Sequence, residues 1–169
     1  MNASQFIRHE IAPVYDQNSR ILILGSFPSV KSRENKFFYG HPQNRFWKVL
    51  AGLLEKPVPT SVDEKKALLL SHHIAVWDVV DSCEITGSSD SSIRNVTPSD
   101  LTRITAASPI RHIYTNGGTA DKLYRKYCYS MTQMTATRLP STSPANAAWS
   151  LARLMEDWKQ ILADLKDTV

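Results

Sequence analysis

The fold is decided by the stretch Ile21-Leu22-Ile23-Leu24-Gly25-Ser26-Phe27-Pro28-Ser29. Four consecutive large apolar residues are typical of a strand that is buried on both faces, and the Gly and Pro that follow predict its end. Such a break presents backbone N–H groups at the carboxyl edge of a sheet, where open α/β folds bind their ligands. Residues 39–47 then supply aromatic rings, an imidazole, an amide and a guanidinium. This set of groups suits a planar polar ring and a phosphate.

The length and charge of the chain limit the number of domains and the kinds of partner. It has 169 residues and a formal net charge of +4. We expect residues 1–169 to form a single domain, and the basic charge favours a polyanionic partner without requiring one. Cys83 and Cys128 are far apart and have no His or Cys at ligand spacing, which predicts free thiols and no metal site. No segment is apolar enough for a membrane span or a signal peptide, so we expect a cytoplasmic protein without membrane association.

Four short apolar runs, at residues 21–24, 74–80, 112–114 and 134–139, predict buried strands. Amphipathic segments separate them. Strands that alternate with helices pair in parallel through right-handed crossovers. The sequence therefore predicts an α/β fold, a three-layer α/β/α domain with a central four-stranded parallel sheet.

Local signals place the helices. One helix is predicted over residues 46–54, and Ser61-Val62-Asp63-Glu64 fits a capping box that opens another, to about His72. A third is predicted to start at Thr97-Pro98-Ser99-Asp100 and to end near residues 108–109, and a fourth to span residues 119–129. The last is predicted to be capped by Ser143, with Pro144 in its first position and an apolar stripe through Leu165.

The segments that follow the four strands should meet at one edge of the sheet. They are residues 25–29, 78–84, 115–118 and 139–146. The last of them is a hydroxyl-rich turn that could grip a phosphate with hydroxyls, N–H groups and a helix dipole, or could be an ordinary capped turn. The first matches neither common nucleotide-binding loop, and no Gly-x-Ser-x-Gly elbow is present. We therefore expect no cofactor.

Two of these segments carry a resemblance to a known family. Gly25-Ser26-Phe27-Pro28-Ser29 and Leu139-Pro140-Ser141-Thr142-Ser143 resemble the two signature motifs of the uracil-DNA glycosylase superfamily. Residues 37–49, Phe-Phe-Tyr-Gly-His-Pro-Gln-Asn-Arg-Phe-Trp-Lys-Val, resemble the mismatch-specific uracil glycosylases. The resemblance implies the fold of that superfamily, a DNA substrate and hydrolysis of an N-glycosidic bond.

One residue departs from the superfamily pattern. The third position of the first motif is usually an Asn or Asp that positions the attacking water, and here it is Phe27, which cannot hold water. The chain instead looks like the hypoxanthine (deoxyinosine) branch, in which a following His-Pro-x-Asn segment carries the Asn. That resemblance assigns the water to Asn44. The backbone N–H groups of Ser26 and Phe27 would then receive charge from the departing base, and Tyr39 would stack on the flipped ring.

Asp78 is the second catalytic candidate. In the superfamily a polar residue near this strand end contacts the edge of the base. An ionised Asp78 could accept a hydrogen bond from a purine N1–H or act as an alternative base for the water. A strand-end carboxylate that only caps the following loop is the structural alternative.

Six further residues are DNA-binding candidates. Extruding a base costs stacking and pairing energy, so another group must brace the duplex. The turn with Ser141, Thr142, Ser143 and Asn146 is the candidate wedge and phosphate grip. His41 and Arg45 are candidates for a flanking phosphate, although Arg45 could equally cap its helix or pair with a carboxylate.

The prediction is a monofunctional DNA glycosylase that acts as a monomer on deaminated bases, with hypoxanthine favoured. No lysine in the motifs is placed to form a Schiff base. The alternatives are a uracil or mismatch-specific glycosylase, a catalytically silent DNA-binding homologue, and a small-molecule enzyme with the same pocket. Binding to DNA phosphates must weaken as salt rises, which separates the last alternative from the others.

Overall fold

The computed structural model describes residues 3–166. The strands are β1 Gln5–Arg8, β2 Ile21–Gly25, β3 Ile74–Asp78, β4 Val80–Ile85, β5 Arg94–Pro98, β6 His112–Asn116 and β7 Ala136–Leu139. The helices are α1 Val30–Asn35, α2 Phe46–Leu54, α3 Val62–Ser71, α4 Thr102–Thr105, α5 Gly118–Tyr127, α6 Tyr129–Thr132, α7 Leu151–Trp158 and α8 Ile161–Leu165.

The centre of the fold is a parallel sheet with the strand order β3-β2-β6-β7. Every residue of β2 and β3 is buried, because both strands have neighbours in the sheet and helices over it. Ile21 pairs with Ile74 of β3 and with His112 of β6, so the three strands start level and also end at the same edge. The predicted α/β fold with a four-stranded parallel sheet is confirmed.

A second sheet, antiparallel and ordered β1-β4-β5, was not predicted. The apolar run at 74–80 is not one strand: β3 ends at Asp78, and Val80 begins β4 in the other sheet. The N–H groups of Val79 and Val80 donate to the carbonyls of Gly25 and Ser26, at 2.8 and 3.0 Å, and so hold the junction against the end of β2.

The prediction that a helix starts at Thr97 is wrong. Thr97 and Pro98 end strand β5, where Pro98 pairs with Val80, and the helix that follows is the single turn α4. A proline at the end of an edge strand loses no ladder hydrogen bond, so the same residue suits a strand end as well as a first helical turn.

The other helix predictions differ in how well they hold. Helix α2 has the predicted bounds, and Ser61 caps α3 by accepting a hydrogen bond from the Glu64 N–H at 3.0 Å. Helix α5 is close to its predicted range. The last helix starts later than predicted, since Ser150, not Ser143, caps α7. The chain from Pro140 to Trp149 is a loop.

Candidate active site

A cavity of about 570 Å³ opens at the carboxyl edge of the parallel sheet. Gly25, Asp78 and Asn116 end β2, β3 and β6, and Ser141 follows β7. All four line the cavity, together with Asn44 from the loop before α2. The structure therefore brings together the strand-end segments that the sequence predicted to meet.

Gly25 forms the floor of the cavity, and a side chain there would not fit. A Cβ at this position would lie 2.6 Å from Asp78 Oδ1 and 3.1 Å from the Tyr39 hydroxyl. The carbonyls of Gly25 and Ser26 accept hydrogen bonds from the junction between β3 and β4. In trans peptides the N–H points opposite to the C=O, so the N–H groups of Ser26 and Phe27 point away from that junction.

Phe27 itself is 7% exposed. Its ring meets the His9 ring edge to face, with 5.3 Å between the centroids. His9 accepts a hydrogen bond from the Ile11 N–H at its Nδ1, which places its own proton on Nε2, and Nε2 donates to the Val80 carbonyl at 3.0 Å. Burial lowers the pKa of His9, so the imidazole is neutral. The Phe27 side chain thus takes part in packing and supplies no polar group.

Asn44 lies on one side of the cavity, and its amide oxygen is fully occupied. Oδ1 accepts hydrogen bonds from the Phe46 N–H at 2.9 Å and from the Thr142 hydroxyl at 2.8 Å. The first of these donors identifies the atom as oxygen, since a backbone N–H needs an acceptor. A carbonyl oxygen has two lone pairs, so the Nδ2 amide donor is the group that Asn44 has left for a ligand.

Asn116 completes this side. Its Oδ1 accepts from the Thr142 N–H and its Nδ2 donates to the Thr142 hydroxyl, both at 3.0 Å. Thr142 is completely buried. We call Asn44, Thr142 and Asn116 the amide wall. The hydrogen bonds among these three residues fix the position of the Asn44 amide.

Asp78, Tyr39 and Asp90 also line the cavity, and we call them the acid wall. Two of the three, Asp78 and Tyr39, have a buried oxygen without a hydrogen-bond partner among the described residues. Asp78 is 4% exposed, and its Oδ2 has no hydrogen-bond partner among the residues that the structure describes. His9 Nε2 is 3.8 Å away, beyond hydrogen-bond distance. Burial and the charge of Asp90 raise the pKa of Asp78 to about 8. A buried oxygen without a partner is costly and points to a ligand that supplies one.

Tyr39 has a second buried oxygen that finds no partner in hydrogen-bonding geometry within residues 3–166. Burial and the charge of Asp78 raise the pKa of Tyr39, and the Asn116 amide opposes this rise only in part. One face of the Tyr39 ring is stacked on Phe46, with 3.9 Å between the centroids. Its backbone is left-handed, with φ of 52°, which is strained for a residue with a side chain. The fold holds this ring in place at a cost.

Asp90 belongs to the short 3-10 turn Asp90–Ser92, in the loop after β4. Its Oδ1 accepts a hydrogen bond from the Ser26 hydroxyl at 2.8 Å. Burial of the carboxyl raises the pKa of Asp90, while the bond from Ser26 opposes that rise. The loop at residues 87–92 therefore closes over the floor of the cavity, and its carboxylate adds a second acidic group there.

Comparison with known proteins decides the family. The profile of the Uracil DNA glycosylase superfamily matches residues 12–166. The chain belongs to the uracil DNA glycosylase superfamily.

Two curated relatives and a solved structure are similar to half or more than nine-tenths of this chain. A protein from Methanosarcina acetivorans named hypoxanthine DNA glycosylase is 34% identical over 157 residues, which is 92% of this chain and 98% of that protein. A second of that name, from Methanosarcina barkeri, is 33% identical over 84 residues, 49% of this chain and 53% of that protein. A solution NMR structure of a candidate uracil DNA glycosylase from M. acetivorans has a TM-score of 0.80 and 29% identity, covering 95% of this chain and 99% of that one.

Two of the predicted DNA-binding residues of this superfamily member have other roles in the structure. The Arg45 guanidinium donates to the carbonyls of Trp149 and Asn146, the latter at 3.0 Å, and so ties the start of α2 to the loop before α7. This role is neither of the alternatives that the sequence left open, because among the described residues the Arg45 side chain does not cap α2 and pairs with no carboxylate. Thr142 is fully buried in the amide wall and has no surface to offer DNA.

The rest of the turn keeps accessible groups. The Asn146 amide donates to the Ser141 carbonyl at 3.0 Å and holds the turn closed. Ser141 and Ser143 each accept a hydrogen bond from a backbone N–H two residues ahead and line the cavity. His41 Nδ1 accepts from the Gln43 N–H, which leaves its Nε2 proton to donate. The helix predicted to begin at this turn does not do so, because α7 begins only at Leu151.

Sequence reasoning missed three site residues, His9, Asp90 and Asn116. His9 and Asp90 come from segments that pair with or follow the unpredicted antiparallel sheet. The position of Asn116 at the end of a predicted strand was a usable signal for the third.

Within residues 3–166 no cluster of His, Cys, Asp or Glu could hold a metal ion, and no helix there could cross a membrane. Cys83 and Cys128 are buried free thiols, as predicted.

Proposed function

We propose that this protein is a monofunctional DNA glycosylase that hydrolyses the N-glycosidic bond of a flipped deoxyinosine and releases hypoxanthine. One observation carries the proposal. Asn44, with its fixed amide, lines a single cavity with Asp78 and Tyr39, which each have a buried oxygen without a partner among the described residues, in a chain 34% identical to a protein named hypoxanthine DNA glycosylase over 98% of that protein. The cavity has about the size that small-molecule sites use, so a purine fits it.

In this mechanism Asn44 positions the attacking water. Glycosidic cleavage passes through an oxocarbenium-like sugar, whose charge makes a weak nucleophile sufficient. An amide that orients water then replaces the Asn or Asp that Phe27 displaces from the first motif. Because Oδ1 is occupied by Phe46 and Thr142, the Nδ2 group holds the water by donating to its oxygen.

The departing base is received at the floor. The N–H groups of Ser26 and Phe27 face away from the β3–β4 junction, and donors fixed in this way stabilise charge that develops on a leaving group. The flipped ring stacks on Tyr39. Only the face of Tyr39 that Phe46 does not cover is open to it.

The DNA backbone is held by the rim of the cavity. His41, Ser141 and Ser143 contact phosphates or brace the opened duplex, while Arg45 and Asn146 hold the turn in shape. The net charge of +4 assists association with a polyanion.

A product assay tests the proposed function. Purified protein is incubated with duplexes that carry a single deoxyinosine, deoxyuridine or deoxyxanthosine, with a deoxyadenosine duplex as the control, and alkali then cuts at abasic sites. We expect cleavage of the deoxyinosine duplex after alkali only, since the described residues that line the cavity include no lysine that could cut the strand through a Schiff base. Release of uracil alone supports the uracil alternative. Salt-sensitive DNA binding without release of any base supports a silent homologue.

A further inference from the structure

The acid wall contains more negative charge than its surroundings balance. Asp78 and Asp90 both line the cavity, and the described residues around it include no lysine or arginine. Arg33 of α1 lies near the loop but donates to the Gly87 carbonyl and stacks over the Phe27 ring. Two carboxylates near each other in a poorly solvated site do not both ionise easily.

The other titratable groups that face Asp78 do not neutralise it. His9 is neutral and gives its only proton to the Val80 carbonyl. Tyr39 keeps its proton, because burial raises its pKa. Asp78 lines the cavity, and its Oδ2 has no partner among the described residues, so its carboxyl group is best accounted for as one that carries a proton. This reverses the ionised state that the sequence suggested.

We propose that Asp78 enters the reaction as a neutral carboxylic acid, kept so by burial and by Asp90, and gives its proton to N7 of the leaving purine. This inference rests on the proposed function. As the bond between N9 and C1′ breaks, its electron pair goes to the base and the Asp78 proton goes to N7, so hypoxanthine leaves as a neutral molecule. Water held by Asn44 adds to C1′ and loses a proton to solvent. A solvent proton then restores Asp78.

The role of Asp90 follows from the same electrostatics. Its charge disfavours ionisation of Asp78 and so extends the pH range in which the acid is available. Ser26 fixes the Asp90 carboxyl through the hydrogen bond from its hydroxyl. Asp90 thus acts through Asp78 by keeping its carboxyl group protonated. In this way the loop at residues 87–92 influences proton transfer to the base.

Single-turnover release of hypoxanthine, measured from pH 5.5 to 9.5 for the wild type and three variants, tests the proposal. Wild-type rate should fall about tenfold per pH unit above about pH 8, as Asp78 loses its proton. Asp78→Asn should be at least about 100-fold slower and show no such fall. Asp90→Asn should keep activity at pH 6 and begin its fall at lower pH. Asp81→Asn, in β4 outside the cavity, should match the wild type.

Each outcome separates the acid role from the proposed function. A wild type that releases no hypoxanthine at any pH contradicts the function. The acid role is contradicted if the wild type is active and the rate of Asp90→Asn falls at the same alkaline pH as the wild-type rate. Ionisation of the substrate would then explain the fall. Carbon-13 NMR of the Asp78 carboxyl in DNA-free protein gives a readout without activity. An Asp78 that is ionised at pH 6 overturns the proposal.

Discussion

The two walls of the cavity differ in whether their polar atoms are satisfied. On the amide wall, Thr142 bonds to both Asn44 and Asn116, and the buried oxygens of all three residues have partners within the protein. On the acid wall, Asp78 Oδ2 and the Tyr39 hydroxyl are buried and have no hydrogen-bond partner within residues 3–166. Unsatisfied buried groups lower stability and persist where a ligand completes them. The comparison indicates that the amide wall sets geometry and that the acid wall meets the base.

The largest effect should come from the one group that the amide wall directs into the cavity. Asn44→Ala should lower the single-turnover rate on deoxyinosine by about 1,000-fold, because no other side chain then holds the water. Asn44→Asp is the matched control for folding, since it retains the oxygen that accepts from Phe46 and Thr142. A full rate in Asn44→Ala would show that the water is held elsewhere.

On the acid wall, removing a carboxyl should make the protein more stable. The raised pKa of Asp78 means that the folded state binds its proton more tightly than the unfolded state does. Stability is therefore lost as pH rises from about 4 to about 8 and is level above that. The gain in free energy of unfolding from Asp78→Asn should be larger at pH 8 than at pH 5 by about 4 kcal/mol. Urea unfolding at both pH values measures this, and a pH-independent difference would contradict the burial argument.

A smaller effect should follow from loosening the amide wall while leaving Asn44 in place. Thr142→Val keeps the shape but removes the hydroxyl that donates to Asn44 and accepts from Asn116. We expect a loss of about tenfold in single-turnover rate and of about 1–3 kcal/mol in stability, because two buried partners lose a bond. Thr142→Ser, which retains the hydroxyl, should recover most of the rate. Equal rates for Val and Ser would mean that the wall does not orient Asn44.

Arg45 should give the smallest effect on DNA binding. Its guanidinium is engaged by backbone carbonyls of the loop before α7, so Arg45→Ala should lower the melting temperature while the slope of log K against log salt stays unchanged. His41→Ala at the rim should leave the melting temperature unchanged and weaken DNA binding. If the slope of log K against log salt falls by about one in Arg45→Ala, Arg45 does contact a phosphate, as the sequence predicted.

Helices and strands were predicted correctly where they depend on residues that are close in the sequence. Ser61 caps α3 through Glu64, three residues away, and the apolar run at 21–24 becomes the fully buried β2. Ser143 has the same local signal as Ser150, but Arg45 and Asn146 hold the chain around it in a closed turn. The cap therefore moves to Ser150. Nothing within the turn itself indicates this.

The candidate site was predictable only in part for a similar reason. Asn44 and Asp78 were predicted as site residues from the motif and the strand end, and both line the cavity. Asp90 was missed because its partner, Ser26, is 64 residues away, and a short loop rich in Gly and Ser gives no sign of what it covers. The protonation of Asp78 depends on burial and on that same loop, so it follows from the assembled cavity alone.

The most direct test of the difference between the walls is a crystal structure of the protein with a duplex that carries a non-hydrolysable 2′-fluoro analogue of deoxyinosine. We predict that the flipped purine supplies the missing partner of Asp78 Oδ2 through N7, while the bonds among Asn44, Thr142 and Asn116 stay as they are in the free protein. A purine that bonds to Asn116 or Thr142 and leaves Asp78 unpartnered would contradict the account.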